Sequence, residues 1–489
     1  MRSPDDVPPA PCPLLERFQA VLDRHGDAAA IAGRDGAVTY RALWNGVLSW
    51  RDRLLALRPS PRSCVAIVSA GSSELAPAFL AARAAGLVPL LVDTLIPPGR
   101  RREMIRASRA IAVLDTASGA AAAIHGGNPG SFPADAGYVV FSSGSQGRPK
   151  GIVGNAAGVA AFLDWEQDLL GLGAAIRGAM LTSPSFDVVL RDMLLPLLSG
   201  GVLCVPGAGV RTNPGAVVPW LREHDVNVVH LVPSLSTRWA ATAMAGSLGR
   251  LRWSVFAGEP LYSAHVERWR SIAPATRVVN LYGPSETTLA KYWNVLAEPV
   301  RAGLQPVGRG LPGTRLAAGT GEPIGADDGS FRITIETPDG SLGYLPDGIS
   351  PADSRALTRR DGLTRFVSQD RGRLGADGLL SVEGRLDSLV KRNGVMVDLS
   401  DITAHAVADP GVVQACCLQV DPEASGGVVL AIEGMNGFSM RGLTRSLRRA
   451  LGPAMPDEIV LFDPLPTLPN GKIDRQSVRQ ALDRQARRS

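Results

Sequence analysis

Cys64-Val65-Ala66-Ile67-Val68, then the alanine-rich stretch Glu74 to Gly86, then Leu87-Val88-Pro89-Leu90-Leu91-Val92: two uninterrupted apolar runs of strand length flank one segment of helical length. A strand that is apolar on both faces has to be covered on both faces. Two such strands joined through a helix pair in parallel. The same rhythm returns at Gly201-Val202-Leu203-Cys204-Val205, at Val226-Asn227-Val228-Val229-His230-Leu231 and at Val278-Val279-Asn280-Leu281-Tyr282, each after a helical segment. The expectation is an α/β protein of stacked, mostly parallel sheets with covering helices. From about Phe331 the pattern shortens to small strands with tight turns, as in Thr337-Pro338-Asp339-Gly340. A second unit of mixed strand and helix begins after Gly384-Arg385-Leu386-Asp387. The reading is a large N-terminal domain over residues 1–386 and a small α+β C-terminal domain over 387–489. Ala117 to Ala123 reads as a loop or short helix.

Composition fits this size. The chain has 489 residues, 45% hydrophobic and 20% charged with 5% aromatic, which is aliphatic packing in a globular protein longer than one core sustains. The net charge is +5 from 51 basic and 46 acidic residues. That excess is spread thinly, without a basic stripe interleaved with aromatics, so nucleic acid is not an expected partner. Five cysteines, Cys12, Cys64, Cys204, Cys416 and Cys417, have neither metal-ligand spacing nor an even count, and read as buried thiols. Neither an apolar leader nor a run of membrane-spanning length is present. A cytoplasmic protein without a membrane partner is expected.

Two segments carry chemistry. Phe141-Ser142-Ser143-Gly144-Ser145-Gln146-Gly147-Arg148-Pro149-Lys150-Gly151 follows the apolar step Tyr138-Val139-Val140. Hydroxyls, glycines and a lysine after a strand are what a loop wrapping a polyphosphate needs, although the same composition also makes a surface turn. The spacing is not that of a Walker A loop. In Asn280-Leu281-Tyr282-Gly283-Pro284-Ser285-Glu286-Thr287-Thr288, a strand ends in a Gly-Pro turn and offers a carboxylate flanked by hydroxyls. Glu286 there suits Mg²⁺, which takes one or two carboxylates plus phosphate oxygens, or else serves as the acidic residue of a helix first turn.

Together these segments resemble the phosphate loop and the aromatic-Gly-Pro-Thr-Glu segment of the ANL superfamily, which comprises acyl-CoA synthetases, adenylation domains of nonribosomal peptide synthetases, and luciferases. Further similarities follow in the family's order: Val38 to Leu43, Ala85 to Asp93, Phe186-Asp187 with Leu198 to Gly201, Gly384 to Asp387 with Val390 to Gly394, and Leu468-Pro469-Asn470-Gly471-Lys472-Ile473-Asp474-Arg475. The resemblance spans nearly the whole chain, and an ordered set is far more specific than any member of it.

The resemblance implies roles. Ser142, Ser143, Gly144, Ser145, Gly147 and Lys150 would steady the terminal phosphates of ATP, Glu286 would hold Mg²⁺, Tyr282 would face the adenine, Asp370 the ribose, and Arg385 would also reach the nucleotide. Lys472 would catalyse adenylation: a carboxylate attacking the α-phosphorus brings two anions together, and a cation between them offsets the repulsion as charge develops. Asp387 would let the small domain rotate, presenting Lys472 for the first step and the Lys391 to Gly394 loop for the second. Asp187 would pair with the α-amino group of an amino acid. Val188, Arg191, His230, Val255, Ala257, Leu281, Leu289 and Ala290 would line the rest of the substrate pocket. His230, inside Val228-Val229-His230-Leu231-Val232, reads equally well as a core residue.

There are departures from the family pattern. Gln146, Gln369 and Asn393 replace a usual threonine, glycine and arginine, and the glycine-rich segment expected within Asp327 to Tyr344 is hardly recognisable. No carrier-type Gly-Gly-x-Ser follows Lys472. The resemblance therefore implies a free-standing enzyme that adenylates a small carboxylic acid, an amino acid in the first instance, and passes it in trans to a separate carrier protein. An acyl-CoA or aryl-CoA ligase is the alternative. A catalytically silent nucleotide-binding scaffold is the third reading, against which Lys472 and Glu286 both argue.

Overall fold

The computed structural model describes residues 12–33, 36–124, 131–143, 149–317, 329–347, 349–392, 395–420, 427–435, 437–468 and 471–486. Gly144, Ser145 and Gly147 of the phosphate-loop candidate lie outside these residues, as do Asn393 with Gly394 and the side chain of Ser143.

The strand Cys64–Ser69 and the strand Val88–Asp93 pair in parallel, from Cys64 opposite Val88 to Ser69 opposite Asp93. The helix Leu75–Ala84 that joins them is buried from Leu75 to Ala82. Its alanines explain how: a helix covered on all sides needs small side chains to let its neighbours approach. These strands sit in a seven-stranded sheet, and a nine-stranded sheet lies across from it. One core joins the two. Val65, Ile67 and Leu91 from the first sheet and Ile31, Val228, Val255 and Val279 from the second pack with Val159, Phe162, Leu190 and Met193 of two intervening helices, Ala156–Leu170 and Val189–Leu198. Each fully buried aliphatic or aromatic side chain there contributes roughly 1.5–3 kcal/mol of transfer free energy.

Within the nine-stranded sheet, Val228–Leu231, Trp253–Ala257 and Arg277–Tyr282 are consecutive parallel neighbours, so their C-terminal ends fall on one edge. That edge is where open α/β sheets present ligand sites. Ala120–Ala123, expected as loop or short helix, is instead an edge strand paired antiparallel with Ala112–Asp115. Four alanines in a row carry no period of their own, and the neighbouring strand decides their conformation.

A five-stranded sheet containing Phe331–Thr337, Leu363–Leu374 and Leu380–Arg385 completes the large part of the molecule. After the single turn Leu386–Ser388 the chain forms a hairpin, Leu389–Arg392 with Val395–Asp398, and then a three-stranded sheet of Val412–Gln419, Val428–Gly434 and Glu458–Phe462 flanked by helices. This small α+β unit has its own core around Ile402, Val412, Leu430 and Leu443. The cysteines Cys12, Cys64, Cys204, Cys416 and Cys417 are all free and buried. Among the described residues no helix is long and apolar enough to cross a membrane.

The small unit rests on the large one through specific contacts. Arg238 Nη2 lies 2.5 Å from Glu433 Oε2 and Arg238 Nε 3.2 Å from Glu433 Oε1. Gln414 Nε2 donates to the carbonyl of Ser234 at 3.2 Å, and Arg268 Nη1 to that of Val412 at 2.9 Å.

Candidate active site

A cavity of about 400 Å³ opens at the C-terminal ends of the three parallel strands. Its walls include Asp187, Val188, Arg191, His230, Ala257, Leu289 and Ala290 from the large domain, and Leu468, Gly471 and Lys472 from the small one. Seven of the nine expected pocket residues therefore meet around one space. Val255 and Leu281 do not line it and lie in the hydrophobic core.

Asp187 is 4% exposed. Its Oδ2 accepts a long hydrogen bond from the Leu289 N–H at 3.4 Å. That N–H is aimed by strained backbone: Thr288 and Leu289 both have positive φ, 60° and 59°, a conformation a β-branched residue rarely holds. Burial pushes the Asp187 carboxyl above its usual range, against the Leu289 N–H, the Ser285 hydroxyl and the charge of Arg191. A cation arriving beside it would favour the ionised form.

At the far end lies a buried charge cluster. His230 Nδ1 is 2.8 Å from Asp192 Oδ1 and its Nε2 is 3.0 Å from Glu166 Oε1. Asp192 Oδ2 also accepts from the backbone N–H groups of Leu181 and Thr182, at 3.2 and 2.9 Å. Burial alone would push the imidazole down, but Glu166 and Asp192 outweigh burial and Arg191 and hold it above its ordinary value. His230 is thus both a core residue of its strand and a wall of the cavity.

The nucleotide candidates converge on the neighbouring strand ends. Tyr282 donates its hydroxyl to Asp370 Oδ2 at 2.6 Å, and Arg385 Nη1 stands 3.8 Å from Asp370 Oδ1. Burial raises the Asp370 carboxyl, opposed by Tyr282, Arg385 and Lys472, which places Lys472 within electrostatic reach of Asp370. Glu286 lies in the single turn Ser285–Thr287 and accepts from the Tyr344 hydroxyl at 3.0 Å. Ser142 is paired across its hairpin with Lys150, whose ammonium forms a partly buried ion pair with Asp353.

Burial raises the Glu286 carboxyl, and the Tyr344 hydroxyl and Lys150 oppose it. Among the described residues no cluster of three or more histidine, cysteine or acidic side chains stands ready to hold a metal ion. A lone half-buried carboxylate fits Mg²⁺ only where phosphate oxygens complete the shell, which is the usual arrangement for that ion.

Lys472 enters from a tight loop. The Leu468 N–H bonds the Lys472 carbonyl at 2.8 Å and the Gly471 N–H bonds the Leu468 carbonyl at 2.9 Å. The loop is pinned to the large domain by the Ser234 hydroxyl, which donates to the Gly471 carbonyl at 3.2 Å. The lysine passes over Gly258 (φ 88°), where a Cβ would stand 2.9 Å from both its Cε and its Nζ. Only glycine leaves room. Beside it, Glu259 is half-buried, and desolvation pushes its carboxyl up, opposed by Ser234 and by Lys472.

Several contributors were not singled out from the sequence. Glu166 and Asp192 could have been found as charges inside otherwise apolar helical segments. Lys291 is 2% exposed, and burial lowers its ammonium to about 8 against the pull of Asp339 and Asp187. Tyr344, Asp353 and Glu259 carried no signal, since their partners are distant in the chain.

Stacked α/β sheets, a strand edge bearing Tyr282 and Glu286 with Asp370 of the five-stranded sheet bonded to it, and a cavity with a lysine of a small C-terminal domain in its wall define the architecture of the ANL superfamily. The chain belongs to the AMP-binding enzyme family, whose pattern it matches over residues 18–130 and 128–344. It is 25% identical to an L-proline--[L-prolyl-carrier protein] ligase of Pseudomonas fluorescens, over 96% of this chain and 99% of that one. It is 29% identical to a dimodular nonribosomal peptide synthase of Bacillus subtilis, matching 70% of this chain but spanning only 14% of that protein. Among solved structures, IdnL7 superposes with a TM-score of 0.79 at 25% identity, over 96% of this chain and 98% of that one. The anthranilate CoA ligase AuaEII superposes with a TM-score of 0.83 over 99% of this chain and 100% of that one, at 18% identity, a likeness of fold alone.

Proposed function

We propose that this protein activates an amino acid as its aminoacyl adenylate, using ATP, and then transfers the aminoacyl group to the phosphopantetheine thiol of a separate carrier protein. The observation that carries the reading is that the Asp187 carboxylate and the Lys472 ammonium are on the walls of one cavity. An α-amino acid presents a cation and an anion one carbon apart, and this cavity offers the complement of each.

In the first step a carboxylate oxygen of the amino acid bonds to the α-phosphorus of ATP, the bond from that phosphorus to the bridging oxygen breaks, and pyrophosphate leaves. Asp187 holds the ammonium, fixing the direction of the carboxylate. Lys472 stands between carboxylate and α-phosphate and stabilises the charge that gathers there. Tyr282, Asp370 and Arg385 orient the nucleoside. Ser142, Ser143, Gly144, Ser145, Gly147 and Lys150 steady the phosphates, with Lys150 exchanging Asp353 for phosphate oxygen. Glu286 would hold Mg²⁺, which when bound draws negative charge toward pyrophosphate.

In the second step the carrier's sulfur bonds to the acyl carbon, the bond to the AMP oxygen breaks, and the thiol proton passes to solvent. Because Lys472 occupies the cavity wall in the arrangement described above, that step needs the small domain to move, and the turn at Asp387 is the proposed pivot.

The test is ATP–pyrophosphate exchange across the amino acids and across aryl and alkyl acids, followed by thioester formation on a phosphopantetheinylated carrier protein. Exchange confined to acids without an α-amino group, with coenzyme A as acceptor, would replace this reading by that of an acyl-CoA ligase.

A further inference from the structure

Arg191 is 2% exposed, yet its Nε and Nη1 meet no hydrogen-bond acceptor and no carboxylate lies within ion-pair distance of it among the described residues. Its guanidinium is packed against Phe162, with Cζ 5.8 Å from the ring centroid, and the side chain forms part of the cavity wall. A buried cation left in this state is costly, and proteins ordinarily pair it. Of the nearby carboxylates, Asp192 serves His230 and two backbone N–H groups, and Glu166 serves His230 through Oε1, while Glu166 Oε2 has no hydrogen-bond partner and forms no ion pair with Arg191. The partner that Arg191 lacks is therefore one that arrives in the cavity.

We propose that Arg191 selects an amino acid whose side chain ends in a planar oxygen acceptor, a carboxylate or a carboxamide. The inference rests on the amino-acid reading above and deepens it. Asp187 stands two residues before the helix Val189–Leu198 and Arg191 is in its first turn, and both line the cavity, about 6 Å apart taken as four residues of helical rise. A substrate ammonium on Asp187 thus leaves Arg191 within reach of a side chain of two to four carbons, taken as roughly the span of that separation. The guanidinium fork matches a planar oxygen pair, and its N–H groups are not satisfied by an alkyl chain. A site built to hydrogen-bond a substrate group rejects the isostere that lacks it far more strongly than an apolar slot rejects an extra methylene.

The experiment measures kcat/KM for pyrophosphate exchange by the whole protein with aspartate, asparagine, glutamate, glutamine and 2-aminoadipate. Each is set against an alkyl amino acid of matched length, with phenylalanine as the aromatic control. The expected result is that at least one acceptor-tipped substrate exceeds its alkyl match by more than about a hundredfold, toward the roughly 10⁴-fold at which a buried polar site discriminates. Arg191→Met should erase that preference while leaving KM for ATP unchanged, and Arg191→Lys should restore part of it. If Arg191→Met does not fold, the wild-type panel decides alone. A preference below tenfold, or an alkyl or aromatic amino acid as best substrate, overturns the role of Arg191 while leaving amino-acid activation standing. Exchange only with acids lacking an α-amino group overturns both readings together.

Discussion

Arg385 grips Asp387 through two hydrogen bonds of 2.9 Å, Nε to Oδ1 and Nη2 to Oδ2, while its Nη1 remains 3.8 Å from Asp370. One guanidinium thus touches both the proposed pivot and the proposed ribose carboxylate. Burial pushes the Asp387 carboxyl up, but Arg385, joined by Arg475, outweighs it and holds the carboxyl below its usual range. Under the proposed mechanism a rotation about Asp387 would break or carry this pair, and would so link movement of the small domain to orientation of the nucleoside.

Asp387→Pro fixes φ near −65°, a value compatible with the present single-turn conformation at Leu386–Ser388 and not with a large rotation. Pyrophosphate exchange should stay within about threefold of wild type, and thioester formation should fall by about a hundredfold or more, because the arrangement with Lys472 in the cavity is the one retained. Both half-reactions are measured on one preparation. Equal loss of the two, or equal retention, rejects Asp387 as the pivot.

Lys472→Ala should lower exchange by about a hundredfold to a thousandfold, the usual scale for removing one preorganised charge. ATP binding, followed by calorimetry, should persist. Gly258→Ala should mimic it without touching the lysine, since the new Cβ occupies the space that Cε and Nζ use. A Gly258→Ala protein with wild-type exchange would mean that Lys472 does not work from its position over this glycine.

Asp187→Asn removes the charge while keeping a group that can accept the Leu289 N–H. Loss of one partner of a buried pair costs about 3–5 kcal/mol, so kcat/KM for the amino acid should fall by at least a hundredfold. The matching acid without its amino group should be unaffected. Equal losses for the two substrates would detach Asp187 from ammonium recognition.

His265 supplies a pH dependence of known sign. Its Nδ1 accepts the Tyr262 N–H at 3.2 Å in a capping box, and burial, with Arg268, lowers the imidazole to about 3. The folded value lies below the unfolded one, near 6.5, so the contribution is fully present above that pH and is lost as pH falls toward 3. The slope is about 1.4 kcal/mol per pH unit. Urea unfolding of wild type and His265→Asn at about pH 6 and pH 5 should show the wild type losing more stability by roughly that amount. Parallel losses would mean that His265 takes up its proton without unfolding the cap.

How much of this was readable beforehand follows from the range over which each signal acts. The parallel strands and the Leu75–Ala84 helix were legible because their hydrophobic pattern is local. The meeting of Lys472 and Asp187 at one cavity was legible only through the order of motifs, since nothing local separates a cavity lysine from a solvated one. The His230 cluster was half-legible: the histidine stood out, but Glu166 and Asp192 come from two other helices, and only folding brings them within 3.0 Å of its ring. The left-handed pair Thr288 and Leu289 gave no sign, because such strain is imposed by the surrounding packing rather than by residue preference.

The wiring beneath the cavity also bears on how descendants of this chain can diverge. His230 is locked to Glu166 and Asp192, so a lineage that exchanges any one of the three strands a charge in the interior, at a cost that rivals the few kcal/mol by which a fold survives. Those three positions should therefore change together or not at all. Arg191 has no such tie among the described residues, and one substitution there leaves the block intact. New substrate preferences in close descendants should therefore begin at residue 191, with His230, Glu166 and Asp192 changing later and together.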